Sequence, residues 1–253
     1  MTFAAVNGIQ LYYEVHGPAV GEAPVLVFAH GAGGNHISWW QQVPHFSRAR
    51  TCVTFDQRGY GRSLDTNGLG GAAYSADLAG LLDHLDIEAF DLVAQSMGGW
   101  TALAFALKHP GRIRRLVMAD THGGLRLPEL RTAERAAVPA GSHPATGPWM
   151  EEEQPELAFL YKQLMALSPD RAPEELMPHL NAIGSPSVED VQALTLPVLF
   201  IIGENDLSIP PPVLEAAARA FPNATVARVP KAGHSVYFER PARFNELVEE
   251  FLA

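Results

Sequence analysis

A serine hydroxyl becomes a useful nucleophile only when a nearby base takes its proton and a third group holds that base in the correct tautomer. In this 253-residue chain the stretch Ala94-Gln95-Ser96-Met97-Gly98-Gly99 presents a serine in a setting suited to that chemistry. The run Phe90 to Val93 is short, apolar and β-prone, as a buried parallel strand should be. Met97 to His109 carries Trp100, Leu103, Phe105, Ala106 and Leu107 and stops before Pro110, as a helix should. A strand that turns straight into a helix strains the backbone of the turning residue. Small neighbours are then needed, and Ala94, Gly98 and Gly99 are small. The Ser96 hydroxyl would stand at a helix N-terminus, where unpaired amides and the helix dipole favour developing negative charge. Taken alone, the hexapeptide also fits an ordinary strand-to-helix turn that happens to hold a serine.

The base candidate among ten histidines is His234, in Lys231-Ala232-Gly233-His234-Ser235 after the last β-like run and before the final helix. The acid candidate is Asp206, in Gly203-Glu204-Asn205-Asp206, after the apolar run ending at Ile202. Asp120, at the end of the run Ile113 to Ala119, ranks second and Glu204 third.

Together these segments resemble the α/β-hydrolase superfamily, in its serine-nucleophile branch with a cap. Ala94 to Gly99 is similar to the nucleophile elbow G-x-S-x-G, with Ala94 in place of the first glycine. The tail around His234 resembles the family's histidine loop and the Gly-x-x-Asp segment its acid loop, which completes the chain order Ser, Asp, His. His30-Gly31-Ala32-Gly33-Gly34 resembles the family's His-Gly loop. By that match the backbone amides of Ala32 and Met97 would form the oxyanion hole. Asp56 to Ser63 is similar to the turn after the fourth strand, where Asp56 and Arg58 would anchor the loop beneath the site.

The resemblance implies a cofactor-independent hydrolase of a small to medium, largely apolar ester, thioester or lactone. Within the same scaffold, carbon-carbon bond hydrolases and cofactor-free perhydrolases or haloperoxidases keep the same triad. A ligand-binding, receptor-like reuse of the fold is the alternative from another class. Ser96 excludes the branches that use an aspartate nucleophile.

The elements that must position these residues follow from the hydrophobic pattern. Asn7-Gly8 between two β-like runs signals a hairpin. Val25 to Ala29 and Arg50 to Phe55 read as buried strands separated by a helix around Ile37 to Val43. Tyr74, Leu78, Leu81, Leu82 and Leu85 recur at helical spacing. This alternation predicts an α/β fold, a mostly parallel sheet flanked by helices. Between Thr121 and Val191 prolines interrupt the rhythm, so residues 1–120 and 191–253 read as the core and 121–190 as a small helical cap inserted after the sixth strand. Trp149, Met150, Phe159, Leu160, Tyr161, Met165, Met177 and Leu180 make that segment apolar.

With a formal charge of −10 and no long basic run, nucleic acid is excluded as a partner. G-x-G-x-x-G fails because His36 stands at the third glycine position. His30, His36 and His122 are expected to line the mouth of the site but form no metal-binding pair, so no metal is expected. Cys52 is the single cysteine, no run reaches the ~20 apolar residues of a membrane span, and no leader pattern opens the chain, so a cytoplasmic location is expected. The oligomeric state is left open.

Overall fold

In the computed structural model, which describes residues 2–132, 137–138, 143–169 and 173–253, the apolar runs become one eight-stranded sheet. Its strands are β1 (Thr2–Val6), β2 (Ile9–His16), β3 (Val25–Ala29), β4 (Thr51–Phe55), β5 (Phe90–Gln95), β6 (Ile113–Ala119), β7 (Val198–Gly203) and β8 (Ala224–Val229). The spatial order is β1-β2-β4-β3-β5-β6-β7-β8. β1 and β2 pair antiparallel, β2 pairs antiparallel with β4, and every later pairing is parallel. The fold is thus a mostly parallel α/β sheet flanked by helices, as the alternation of elements predicts.

Helices follow as α1 (Val43–Phe46), α2 (Tyr74–His84), α3 (Met97–Lys108), α4 (Glu129–Thr132), α5 (Trp149–Glu153), α6 (Pro155–Met165), α7 (Pro173–Ile183), α8 (Val188–Gln192), α9 (Pro211–Ala220), α10 (Val236–Glu239) and α11 (Pro241–Leu252). Five of them, α4 to α8, lie between β6 and β7. Within 121–190, residues 133–136, 139–142 and 170–172 lie outside the described residues. No helix among the described residues is long and apolar enough to cross a membrane.

Side chains alternate across a strand, so the sheet buries two cores. Val27, Leu92 and Ala94 face a core shared with Leu78 of α2, Leu103 of α3 and Leu214 of α9. Leu26, Phe28 and Val93 face the other, shared with Phe46 of α1 and Phe244 and Leu247 of α11. The register aligns Ala29 with Ala94, Gln95 with Ala119, and Ala119 with Ile201. The carboxyl ends of β3, β5, β6 and β7 therefore lie side by side. β3 and β5 also flank the point where strand order reverses, and the crevice outside the strand ends there is where open α/β sheets bind ligands.

The single helix expected around Ile37 to Val43 is two separate pieces, a 3₁₀ turn at His36–Trp39 and then α1. Pro44 has no N–H to continue a preceding turn, so a new helix starts beside it.

Arg58, fully buried, ties the hairpin to the first long helix. Its guanidinium donates to both Asp77 carboxylate oxygens, at 2.7 and 2.8 Å, and to the Asn7 carbonyl at 3.1 Å. Asn7 and Gly8 both have positive φ, 43° and 79°, as a type I′ turn requires. Removing one member of a buried ion pair strands the other charge, which typically costs about 3–5 kcal/mol. Arg58→Ala is therefore expected to destabilise the protein by about that amount in a denaturant titration.

Candidate active site

Ser96 is the junction residue between β5 and α3, with φ 49° and ψ −116°. This is a costly conformation for a non-glycine residue, and its surroundings fix it from several sides. The Ser96 amide donates to the Ala119 carbonyl at 3.1 Å, while its carbonyl accepts from Gly99 N–H at 2.9 Å and the Thr121 hydroxyl at 2.7 Å. There is no room for side chains behind it. A Cβ on Gly98 would lie 2.1 Å from the Ala29 carbonyl oxygen, and one on Gly99 would lie 2.3 Å from Thr121 Cγ2. Ala94, which departs from the first-glycine position of the elbow pattern, buries its methyl group in the core on the α3 side.

The Ser96 hydroxyl lies 2.8 Å from His234 Nε2, and His234 Nδ1 lies 2.7 Å from Asp206 Oδ2. An ionised carboxylate only accepts hydrogen bonds, so Nδ1 carries the proton and Nε2 is left to accept from the serine. The other Asp206 oxygen accepts from the amides of Ser208 and Ile209 at 2.8 and 2.9 Å. Asp120 and Glu204, the other two acid candidates, form no hydrogen bond with the imidazole among the described residues. Asp120 is instead buried behind it, accepting from Gly203 N–H at 2.9 Å and Val236 N–H at 3.1 Å, so it ties the acid loop to the base loop. Glu204 is exposed.

Burial by itself would lower the His234 pKa. The charge and hydrogen bond of Asp206, with the charges of Asp120 and Glu239 behind it, outweigh that effect and hold the imidazole above its ordinary value. Asp120 is pushed well above the usual carboxylate range, first by burial and then by the neighbouring Asp206 charge.

Two further side chains hold the base loop. Gln95 donates to the His234 carbonyl at 2.7 Å. Glu239, also buried, accepts from Gly233 N–H with both oxygens, from Ser235 N–H, and from Gly147 N–H at 2.8 Å. Burial raises its pKa, and the Gly147, Gly233 and Ser235 amides pull it part of the way back. Both residues sit inside the motif stretches of the sequence, yet glutamine and glutamate carry no pattern that signals such backbone bonds.

Ala32, Met97, Ser96 and His234 line one cavity of about 600 Å³. Met97 opens α3, so its amide has no carbonyl within the helix to pair with. The loop that carries Ala32 is braced by His30. Its Nδ1 donates to the Gly31 carbonyl at 2.8 Å and its Nε2 accepts from Gln57 N–H at 2.9 Å. Burial lowers the His30 pKa, which keeps Nε2 free of a proton and able to accept.

Of the three histidines expected at the mouth, only His122 lines the cavity. His30 and His36 are turned inward because each finds a buried partner, His36 by donating its amide and Nδ1 to Asp56 Oδ1 at 2.6 and 2.7 Å. Of the eight apolar residues singled out between β6 and β7, Met177 and Leu180 reach the cavity, beside Leu125, Leu130, Ala145 and Leu176. Met150 and Tyr161 pack in the core on the α11 side, Leu160 and Met165 pack against it, and Phe159 is 66% exposed. Trp100, one turn into α3, is a cavity wall that the helical pattern alone marks only as apolar.

A sequence model of the alpha/beta hydrolase fold matches residues 24–241, so the chain belongs to that family and is an enzyme. It is 28% identical to a protein named carbamate hydrolase RutD from Caulobacter sp. (strain K31), over 100% of this chain and 98% of that one. The crystal structure of the enol-lactonase from Burkholderia xenovorans LB400 superposes with a TM-score of 0.82 at 25% identity, covering 99% of each chain. A thermophilic esterase from Thermogutta terrifontis superposes with a TM-score of 0.80 at 26% identity, over 99% of this chain and 97% of the other.

Misplacing a reacting group by about 1 Å can cost about 100-fold in rate. Gly98→Ala, which drives a methyl group into the Ala29 carbonyl, is therefore expected to lower kcat/KM on an aryl ester by about 100-fold while the far-UV circular dichroism spectrum is retained.

Proposed function

We propose that the protein is a serine hydrolase that cleaves a small to medium, largely apolar ester, thioester or lactone through an acyl-enzyme. The observation that carries this reading is the unbroken row Ser96 Oγ, His234 Nε2, His234 Nδ1 and Asp206 Oδ2, with both links shorter than 3 Å, at the floor of an apolar cavity. Similarity to proteins named as a carbamate hydrolase, an enol-lactonase and an esterase supports acyl transfer as the reaction class.

In this reading Ser96 Oγ attacks the carbonyl carbon while its proton passes to His234 Nε2. The oxyanion accepts hydrogen bonds from the amides of Ala32 and Met97, and Asp206 stabilises the imidazolium that forms. Collapse breaks the bond to the leaving group, which takes the proton from His234. Water then repeats the sequence on the acyl-enzyme, with His234 again as base, and releases the acid. Residues 121–190 act as the cap that covers the site on the core formed by 1–120 and 191–253. Cys52, buried with its thiol pushed up to about 12, has no second cysteine to pair with. This fits a reducing, cytoplasmic setting.

Ser96→Ala is expected to lower kcat on p-nitrophenyl esters by about 10⁶-fold and to abolish covalent labelling by a fluorophosphonate. Labelling that persists in this variant would remove the assignment. The base must be neutral to act, and His234 is held above its ordinary value. Hence kcat/KM should rise with pH through a midpoint above the usual histidine value of about 6.5. Asp206→Asn removes the main stabiliser of the imidazolium, so the midpoint should shift down and kcat should fall by about 10⁴-fold, as read from pH-rate profiles.

A further inference from the structure

The cavity above Ser96 is largely apolar, but its ionisable groups have one sign. Among the described residues that line it the titratable side chains are His122, Arg126 and His234, and no carboxylate is present. That is notable in a chain with 28 acidic residues against 18 lysines and arginines. Three of its polar side chains, Arg126, Asn181 and Ser185, come from two neighbouring segments. Arg126 N–H donates to the Pro186 carbonyl at 3.0 Å, and a Cβ on Gly124 would lie 2.9 Å from the Gly184 carbonyl oxygen. The 122–126 segment therefore runs beside the chain that leaves α7, so the exposed Arg126 and Asn181 and the half-buried Ser185 lie on adjoining segments of the cavity wall.

Each of these three side chains offers hydrogen-bond donors, and the planar fork of an arginine matches a carboxylate in two-point contact. Arg126 forms no ion pair among the described residues. Glu189 and Asp190 on α8 feel its charge, but Asp190 is engaged by the amide and hydroxyl of Ser187 in the cap of that helix. Resting on the serine hydrolase reading above, we propose that Arg126, with Asn181 and Ser185, forms an anion subsite. The preferred substrate then carries a free carboxylate at the end of the acyl chain remote from the scissile carbonyl. A cavity of about 600 Å³ lies within the usual range for small-molecule sites.

The test compares mono-p-nitrophenyl esters of the dicarboxylic acids from succinate to suberate with the same esters capped as methyl esters at the free carboxyl. The wild-type protein should favour the free acid of at least one chain length by about tenfold or more in kcat/KM, chiefly through KM, since a pair of charged hydrogen bonds contributes on that scale. Arg126→Leu should erase the preference, Arg126→Lys should keep part of it, and Arg126→Glu should invert it in favour of the capped esters. Equal turnover of free and capped esters at every length, unchanged across the three variants, would overturn the subsite and leave the serine hydrolase reading intact. Should no ester of either kind be turned over, that reading falls and calorimetry with the free dicarboxylates decides the subsite. Binding to the wild-type protein that weakens about tenfold or more in Arg126→Leu supports it, and absence of binding overturns it.

Discussion

One backbone conformation carries the site. A non-glycine residue is held at positive φ between a central strand and the helix it feeds, and the strain can persist only because neighbouring backbone is packed so closely that nothing relaxes it. The Ala29 carbonyl approaches the start of α3 to a distance that admits no Cβ at position 98. A Cβ on Gly31 would meet the Gln95 side chain at 2.1 Å and Ser96 Cβ at 3.1 Å. The glycines at 31 and 98 thus let the loop after β3 and the turn at Ser96 approach each other closely.

The second organising device is electrostatic. Asp120 and Glu239 are buried carboxylates satisfied by backbone amides rather than by cations. Each joins segments distant in sequence, Asp120 linking β6, β7 and the base loop, Glu239 linking the base loop to the chain before α5. Burying charge in this manner is costly, as the raised pKa of both groups reflects. In return the charges of Asp206, Asp120 and Glu239 outweigh burial and hold the His234 imidazole above its ordinary value.

Much of this was legible in the sequence because it rests on local pattern. Apolar runs bounded by turns mark β3, β4, β5 and β7; Ser96 and Asp206 follow two of these, and His234 follows the less apolar β8, at the edge where a parallel sheet gathers its strand ends. What local pattern does not carry is the direction of a side chain that has a choice of partners. His30 and His36 turn inward because Gln57 and Asp56 satisfy them there, and those partners are 27 and 20 residues away. Phe159 and Tyr161, two residues apart on α6, fall on opposite faces of a helix by spacing alone, one exposed and one buried, and the structure adds only that Tyr161 seats against Phe238 and Ser235. The positioning roles of Gln95 and Glu239 are invisible for the same reason, since their targets are main-chain groups with no residue signature.

The bond from Gly147 to Glu239, together with the contact between the Tyr161 and Ser235 hydroxyls, has an evolutionary consequence. The chain between β6 and β7 is stitched to the very loop that presents the imidazole, so the part of the molecule free to diversify its pocket is not mechanically independent of the part that must stay fixed. A segment put in its place with no counterpart to the Gly147 amide and the Tyr161 hydroxyl would leave the loop of His234 without those two contacts. A change of pocket that keeps both contacts is therefore reached by replacing single wall residues rather than by exchanging the whole segment.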